Sequence, residues 1–213
     1  LLDRWCDGLV AHQLSYPNDR GLDGAMVCSA CAYLHGRIGD TVYPFVVQWD
    51  MTGDEKYLVA ARKVIGWCEA NTLCSDGSYM NDLKTPWNYI TVFSQIAIGK
   101  TLREFGPKLP TDFRDQLEGI YARQSRWLYA CFQSPKTAAA VEVNYWGNQA
   151  EAMAEAGVKL GEPKYTAEAQ KIVDTRLKKL FAADGMLMGE IVPADRKSAV
   201  RGLAAVDLGY NLE

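Results

Sequence analysis

The sequence predicts an all-α fold, an α/α toroid in which outer and inner helices alternate. Three observations lead there: a repeat at long spacing, two kinds of helical segment that take turns along the chain, and the lack of any long run of strict apolar–polar alternation that would suit a substantial sheet.

The repeat joins "GDEKYLVAARKVI" from Gly53 to "GEPKYTAEAQKIV" from Gly161, 108 residues later. Gly53/Gly161, Lys56/Lys164, Tyr57/Tyr165, Ala61/Ala169 and Lys63/Lys171 stand in register, and Asp76-Gly77 falls opposite Asp184-Gly185 at the same offset. A unit of the same kind lies between the copies, so the period is about 54 residues.

Each unit holds two helices of different character. Segments near 54–70, 111–132 and 164–182 carry Lys, Arg, Asp and Glu on one face and Leu, Ile, Val, Tyr and Trp on the other. They are outer helices, half exposed. Segments near 39–50, 87–103 and 145–159 have few charges, and "WNYITVFSQIAIGK" has none before Lys100. A helix apolar nearly all round must be buried nearly all round, which makes these the inner set. Boundaries follow from local chemistry. Asp54 and Glu55 suit a helix start, as do Pro107, Pro110 and Thr111-Asp112. Gly77 and Gly185 are each expected to stop an outer helix.

Alternation also sorts the connections. Inner-to-outer links are short, whereas the outer-to-inner links at 15–38, 71–86, 133–144 and 183–206 are long and polar. All links of one kind lie on one face, so His35, Arg37, Asp40, Asp76, Asp82, Trp87, Asn144, Tyr145, Trp146, Glu190, Asp207, Tyr210 and Asn211 are expected around one mouth. Plainer duties compete: Asp-Gly pairs make turns, Asp40 and Asp82 suit helix caps, and the aromatic residues suit a core.

The bulk properties narrow the partners. The chain has 213 residues, 48% hydrophobic and 23% charged, with a net charge of −3. Nothing in it resembles the basic footprint of a nucleic-acid binder, and no apolar run approaches the roughly 20 residues that span a bilayer. Nucleic acid and membrane are therefore not expected as partners; compartment and oligomeric state do not follow. The six cysteines are expected mainly as reduced packing residues. Cys28, Cys31 and His35 have a zinc-compatible spacing but need a further ligand, so neither a metal nor a cofactor is expected.

The repeated "TGDEKYLVAARKVIGW…DGSY" pattern, "HGRIGDTVYPFVVQW" and the aromatic-rich inner helix starts resemble the six-hairpin glycosidase superfamily, the (α/α)6 toroids. That group includes unsaturated glucuronyl hydrolases, β-glucuronidase-like hydrolases and the helical domains of some polysaccharide lyases. The resemblance implies a substrate cleft at the mouth of the outer-to-inner loops. Six units of about 54 residues need some 320 residues, so residues 1–213 are expected to form a single toroid domain or a fragment of one, with about three and a half of six hairpins.

The function expected from these features is hydrolysis of a glycosidic bond in a uronic-acid-containing oligosaccharide. That reaction needs a protonated and an ionised carboxyl group, with Asp40, Asp207, Asp82 and Glu190 as candidates. His35 and Arg37 would bind the uronate, since a guanidinium fork matches a carboxylate. Trp87, Tyr145 and Trp146 would offer flat surfaces to sugar rings, with Asn144, Tyr210 and Asn211 as further substrate contacts. A polysaccharide lyase is the alternative: a Tyr or His removes the proton beside the uronate, and Asn144-Tyr145 with His35 and Arg37 would serve it. A non-catalytic, carbohydrate-binding helical scaffold is the third reading.

Overall fold

The computed structural model describes residues 1–28, 32–82, 87–134 and 143–181. Seven α-helices run through them: α1 (Leu2–His12), α2 (Val42–Thr52), α3 (Glu55–Asn71), α4 (Thr91–Phe105), α5 (Thr111–Phe132), α6 (Val143–Leu160) and α7 (Pro163–Thr175). A 3-10 helix, Gly36–Thr41, leads straight into α2. Among the described residues extended backbone is limited to isolated bridges, so the chain is all-helical as expected. No described helix is long and apolar enough to cross a membrane. The chain divides into two compact units, Leu1–Gln124 and Ser125–Glu213.

In the first unit α2 packs on α3 and α4, and the 3-10 helix lies against α3 and α4. Phe45 and Val46 of α2, Val64, Ile65 and Trp67 of α3, and Ile98 of α4 are closed to solvent or nearly so. Burying a side chain of this size contributes about 1.5–3 kcal/mol. The inner helix α4 also buries polar residues, and each needs a partner. Thr101 Oγ1 donates back to the Ala97 carbonyl at 2.8 Å, and Gln124 Nε2 of α5 donates to Ser94 Oγ at 3.1 Å. In the second unit α6 packs on α7, around Met153, Ala156, Tyr165 and Ile172.

The sequence repeat reappears as a repeated device. Gly53 and Gly161 both close their hairpins in the left-handed region, at φ 70° and 66°, which glycine adopts without steric cost. Asp54 caps α3 by accepting from the Lys56 N–H at 3.0 Å. Lys56 Nζ then pairs with Asp54 at 3.2 Å and lies 4.7 Å from the centre of the Tyr57 ring. In the second copy Lys164 pairs with Glu162 and lies 4.8 Å from the Tyr165 ring.

Gly77 departs from expectation. Helix α3 ends at Asn71, with Thr72 as its cap, whereas Gly77 sits beyond it at φ 94° in a turn where its N–H reaches the Cys74 carbonyl. Its left-handed backbone serves a short hairpin bridging Leu73 and Tyr79, not the helix end. Gly185 lies outside the described residues. The start of α4 also moves, from near 87 to Thr91.

Candidate functional site

The site grows from two loops of the first unit that are stitched to each other. The segment 72–82 is pinned first. Tyr79 is fully buried, its N–H donates to Thr91 Oγ1 at 2.9 Å, and its hydroxyl donates to Glu69. Arg123 Nη2 reaches the same Glu69 carboxylate at 2.5 Å, and Arg123 Nε donates to the Gly77 carbonyl. Burial, with the Glu69 charge beside it, pushes the Tyr79 hydroxyl well above its usual range, so it stays a neutral donor.

His35 pairs with Asp82 across an antiparallel bridge, and the Gly36 N–H donates to the Asn81 carbonyl at 2.6 Å. The approach requires glycine, because a methyl group at position 36 would overlap the Met80 carbonyl oxygen. Replacing Gly36 with alanine is therefore expected to cost about 1–3 kcal/mol, read as a lower midpoint in urea unfolding. An unchanged midpoint would show that the two loops are not held this close.

The stitching fixes a polar cluster. Asn81 is clamped through its backbone, its N–H donating to the Trp87 carbonyl at 2.7 Å. Its side-chain Nδ2 lies 3.2 Å from both Asp82 Oδ2 and His35 Nδ1. The Asp82 carboxylate accepts only, which turns the amide NH2 toward it. With the NH2 so turned, His35 Nδ1 is the acceptor of this contact, an arrangement that suits the tautomer with its proton on Nε2. Beyond His35, Arg37 and Asp40 face each other three residues apart on the 3-10 helix. Arg37 Nε donates to Asp40 Oδ2 at 2.9 Å, and the guanidinium lies 4.0 Å from the centre of the Phe93 ring. Among the described residues the two Nη groups of Arg37 have no hydrogen-bond partner.

His35, Arg37 and Asn81 line one cleft of about 600 Å³, with His12 and Cys28 also on its wall. The volume falls within the range of small-molecule sites. Both histidines of the chain face this cleft.

The other expected site residues are placed as follows. Asp40 is tied to Arg37. Its Oδ1 is buried with no hydrogen-bond partner among the described residues, and burial pushes its carboxyl up to about 6 against the pull of Arg37. Asp82 is buried behind Asn81, and Asp76 caps its own turn by accepting from the Ser78 N–H at 3.0 Å. Trp87 packs edge-on against Tyr89 at 4.5 Å. In the second unit Asn144 is half-buried at the start of α6, while Tyr145 and Trp146 are buried. Trp146 lies between Phe132 at 5.9 Å and the Arg176 guanidinium at 4.8 Å. Glu190, Asp207, Tyr210, Asn211 and Cys31 lie outside the described residues. Among the described residues no group of three or more His, Cys, Asp or Glu side chains is arranged to hold a metal ion.

Asn81 and His12 line this cleft, and the sequence alone does not single them out. A signal existed for Asn81: it abuts the candidate Asp82 within a long polar loop. His12 closes a helix and gives no local cue.

Comparison with known proteins bears on the chemistry. The family model of the Ulvan lyase N-terminal domain matches residues 2–213. A broad-specificity ulvan lyase of Formosa agariphila is 32% identical over 215 residues, which takes in all of this chain and 33% of that protein. The chain thus spans about a third of the length of that curated relative. A crystal structure of D-mannose isomerase shares the fold with a TM-score of 0.57 at 14% identity, over 89% of this chain and 57% of that one. That helical, toroid-like neighbour supports the fold class.

These findings correct the expectation of a glycoside hydrolase with paired carboxylates. Both the family and the curated relative are lyases by name. The structure supplies a physical reason for the miss. Of the four carboxylates expected as catalytic candidates, Asp40 and Asp82 are already engaged by Arg37 and Asn81, and Asp207 and Glu190 lie outside the described residues.

Proposed function

The chain belongs to the Ulvan lyase N-terminal domain family, and from that premise we propose that it carries out or supports β-elimination on a uronate-containing polysaccharide. The observation that carries the reading is the Arg37 guanidinium, held by its Nε edge at the wall of a cleft that both histidines line.

Elimination beside a uronate needs three things. The carboxylate must be neutralised so that the C5 proton becomes acidic, a base must take that proton, and an acid must protonate the departing O4. In this reading Arg37 takes the carboxylate. His12 accepts the C5 proton, the electron pair of the broken C5–H bond forms the C4–C5 double bond, and the C4–O4 bond breaks with its pair leaving on O4. His35, which Asn81 holds with the proton on Nε2, delivers that proton to the leaving oxygen. No water is consumed. We read the two units as portions of one α/α-toroid domain of the six-hairpin type, for which the 108-residue repeat speaks.

Ulvan treated with the protein should yield products that absorb in the ultraviolet from the new conjugated double bond. Cleavage in heavy-oxygen water should introduce no label at the moment of bond breaking, and label appearing in step with cleavage, faster than the slow exchange of the new reducing end, would mean hydrolysis. His35→Ala and His12→Ala are each expected to lower kcat by roughly a hundredfold or more, the usual range for a lost acid or base. Retention of full activity by either variant would remove that histidine from the mechanism.

A further inference from the structure

Asp40 has no part in the proton transfers set out above, yet its position is specific. It stands one 3-10 turn beyond Arg37, so the two side chains emerge on the same side of the helix. Its Oδ2 accepts from Arg37 Nε at 2.9 Å and not from an Nη group. An arginine guanidinium offers two edges to a carboxylate, one through Nε and one through the Nη pair, and Asp40 takes the Nε side. The Phe93 ring covers one face of the group at 4.0 Å. One hydrogen bond and one ring contact restrain the last side-chain bonds, and the Nη pair is left for a planar anion to bind through both nitrogens. The ion pair is also costly to build. The Asp40 side chain is 24% exposed and its Oδ1 is shut away without a partner among the described residues, whereas the Arg37 side chain is 46% exposed. A pair formed only for stability would not strand a carboxylate oxygen.

We propose that Asp40 is a positioning residue for the substrate carboxylate: by gripping Arg37 through Nε it sets the orientation in which the Nη pair meets the uronate. The inference rests on the lyase reading and adds a residue that touches no substrate. Asp40 thereby moves from the catalytic carboxylate of the sequence reading to a brace behind the anion site.

The test is a double-mutant cycle in the whole chain, with ulvan oligosaccharides as the probe and KM and kcat measured separately. Asp40→Asn keeps the shape and loses the charge; Asp40→Ala loses both. Each is expected to raise KM, by about threefold and about tenfold respectively, with kcat changed less than KM. In an Arg37→Lys background, where no Nε edge exists to be gripped, neither substitution should raise KM further. Undiminished effects in that background, or an unchanged KM in the single variants, would overturn the inference while the lyase reading stands. Failure of the unsubstituted chain to bind or cleave the oligosaccharides would overturn both. The isosteric Asn variant, checked by circular dichroism, guards against misfolding of the Ala variant.

Discussion

Replacing Arg37 with alanine is expected to lower kcat/KM on a uronate-containing polysaccharide by at least about a hundredfold, roughly 3 kcal/mol of lost transition-state stabilisation. The reason lies in where charge develops. As the C5 proton leaves, negative charge spreads into the uronate carboxylate, and a cation fixed beside it gains strength through the reaction. Lysine should recover little of this, because a point charge on a flexible stem cannot reproduce a fork held at one edge by Asp40 and on one face by Phe93. Steady-state kinetics on the two variants decide the matter. A loss below threefold in the alanine variant would place the substrate carboxylate elsewhere.

The second large effect concerns stability and runs against intuition: Asp40→Asn should make the protein more stable at neutral pH. Burial lifts the Asp40 carboxyl from its ordinary value of 3.8 to about 6, despite Arg37. Between those two values the native state holds a proton that the unfolded chain has released. Stability therefore falls as pH rises through this window, and the full penalty is present above about 6. The shift corresponds to at most about 3 kcal/mol, and the partial exposure of the side chain makes the true figure smaller. The groups packed around Asp40 do not reverse the sign. Arg37 on its own 3-10 helix pulls the carboxyl down, and burial outweighs it. Cys68 from α3 has its thiol pushed up by burial and by the Asp40 charge, Tyr43 from α2 bonds to Glu104, and α4 places the uncharged Phe93 against Arg37 and Ser94 beside Gly39. Thermal unfolding from pH 4 to 8 should give equal Tm values for variant and parent at the acid end, with the variant higher by a few degrees above pH 6. A variant less stable than the parent at pH 8 would mean that the ion pair is a structural support after all.

How far the sequence carried is clearest residue by residue. The α2–α3 and α6–α7 hairpins were legible, because Gly53 and Gly161 stand where only a left-handed residue closes the turn and the Lys-Tyr pairs repeat behind them. That His35 and Arg37 come together on one cleft was legible from their place in a long polar loop. The burial of Asp40 and its grip on Arg37 Nε were not, because a carboxylate three positions from an arginine reads alike as catalyst, cap or ion pair. Asn81 was hidden for a different reason. Its duty comes from the bridge of His35 with Asp82, a pairing 47 positions apart that no local pattern announces. Hydrolysis and elimination at a uronate draw on the same residue types, so composition alone could not choose between them.

The twin hairpins have a bearing on how the chain comes apart. Each closes on its own glycine and carries its own lysine resting on its own tyrosine, so neither borrows its fastening from the other copy. Opening can then proceed piecemeal, with one fastening melting while its counterpart keeps its amides protected from exchange, as in other chains built by repetition.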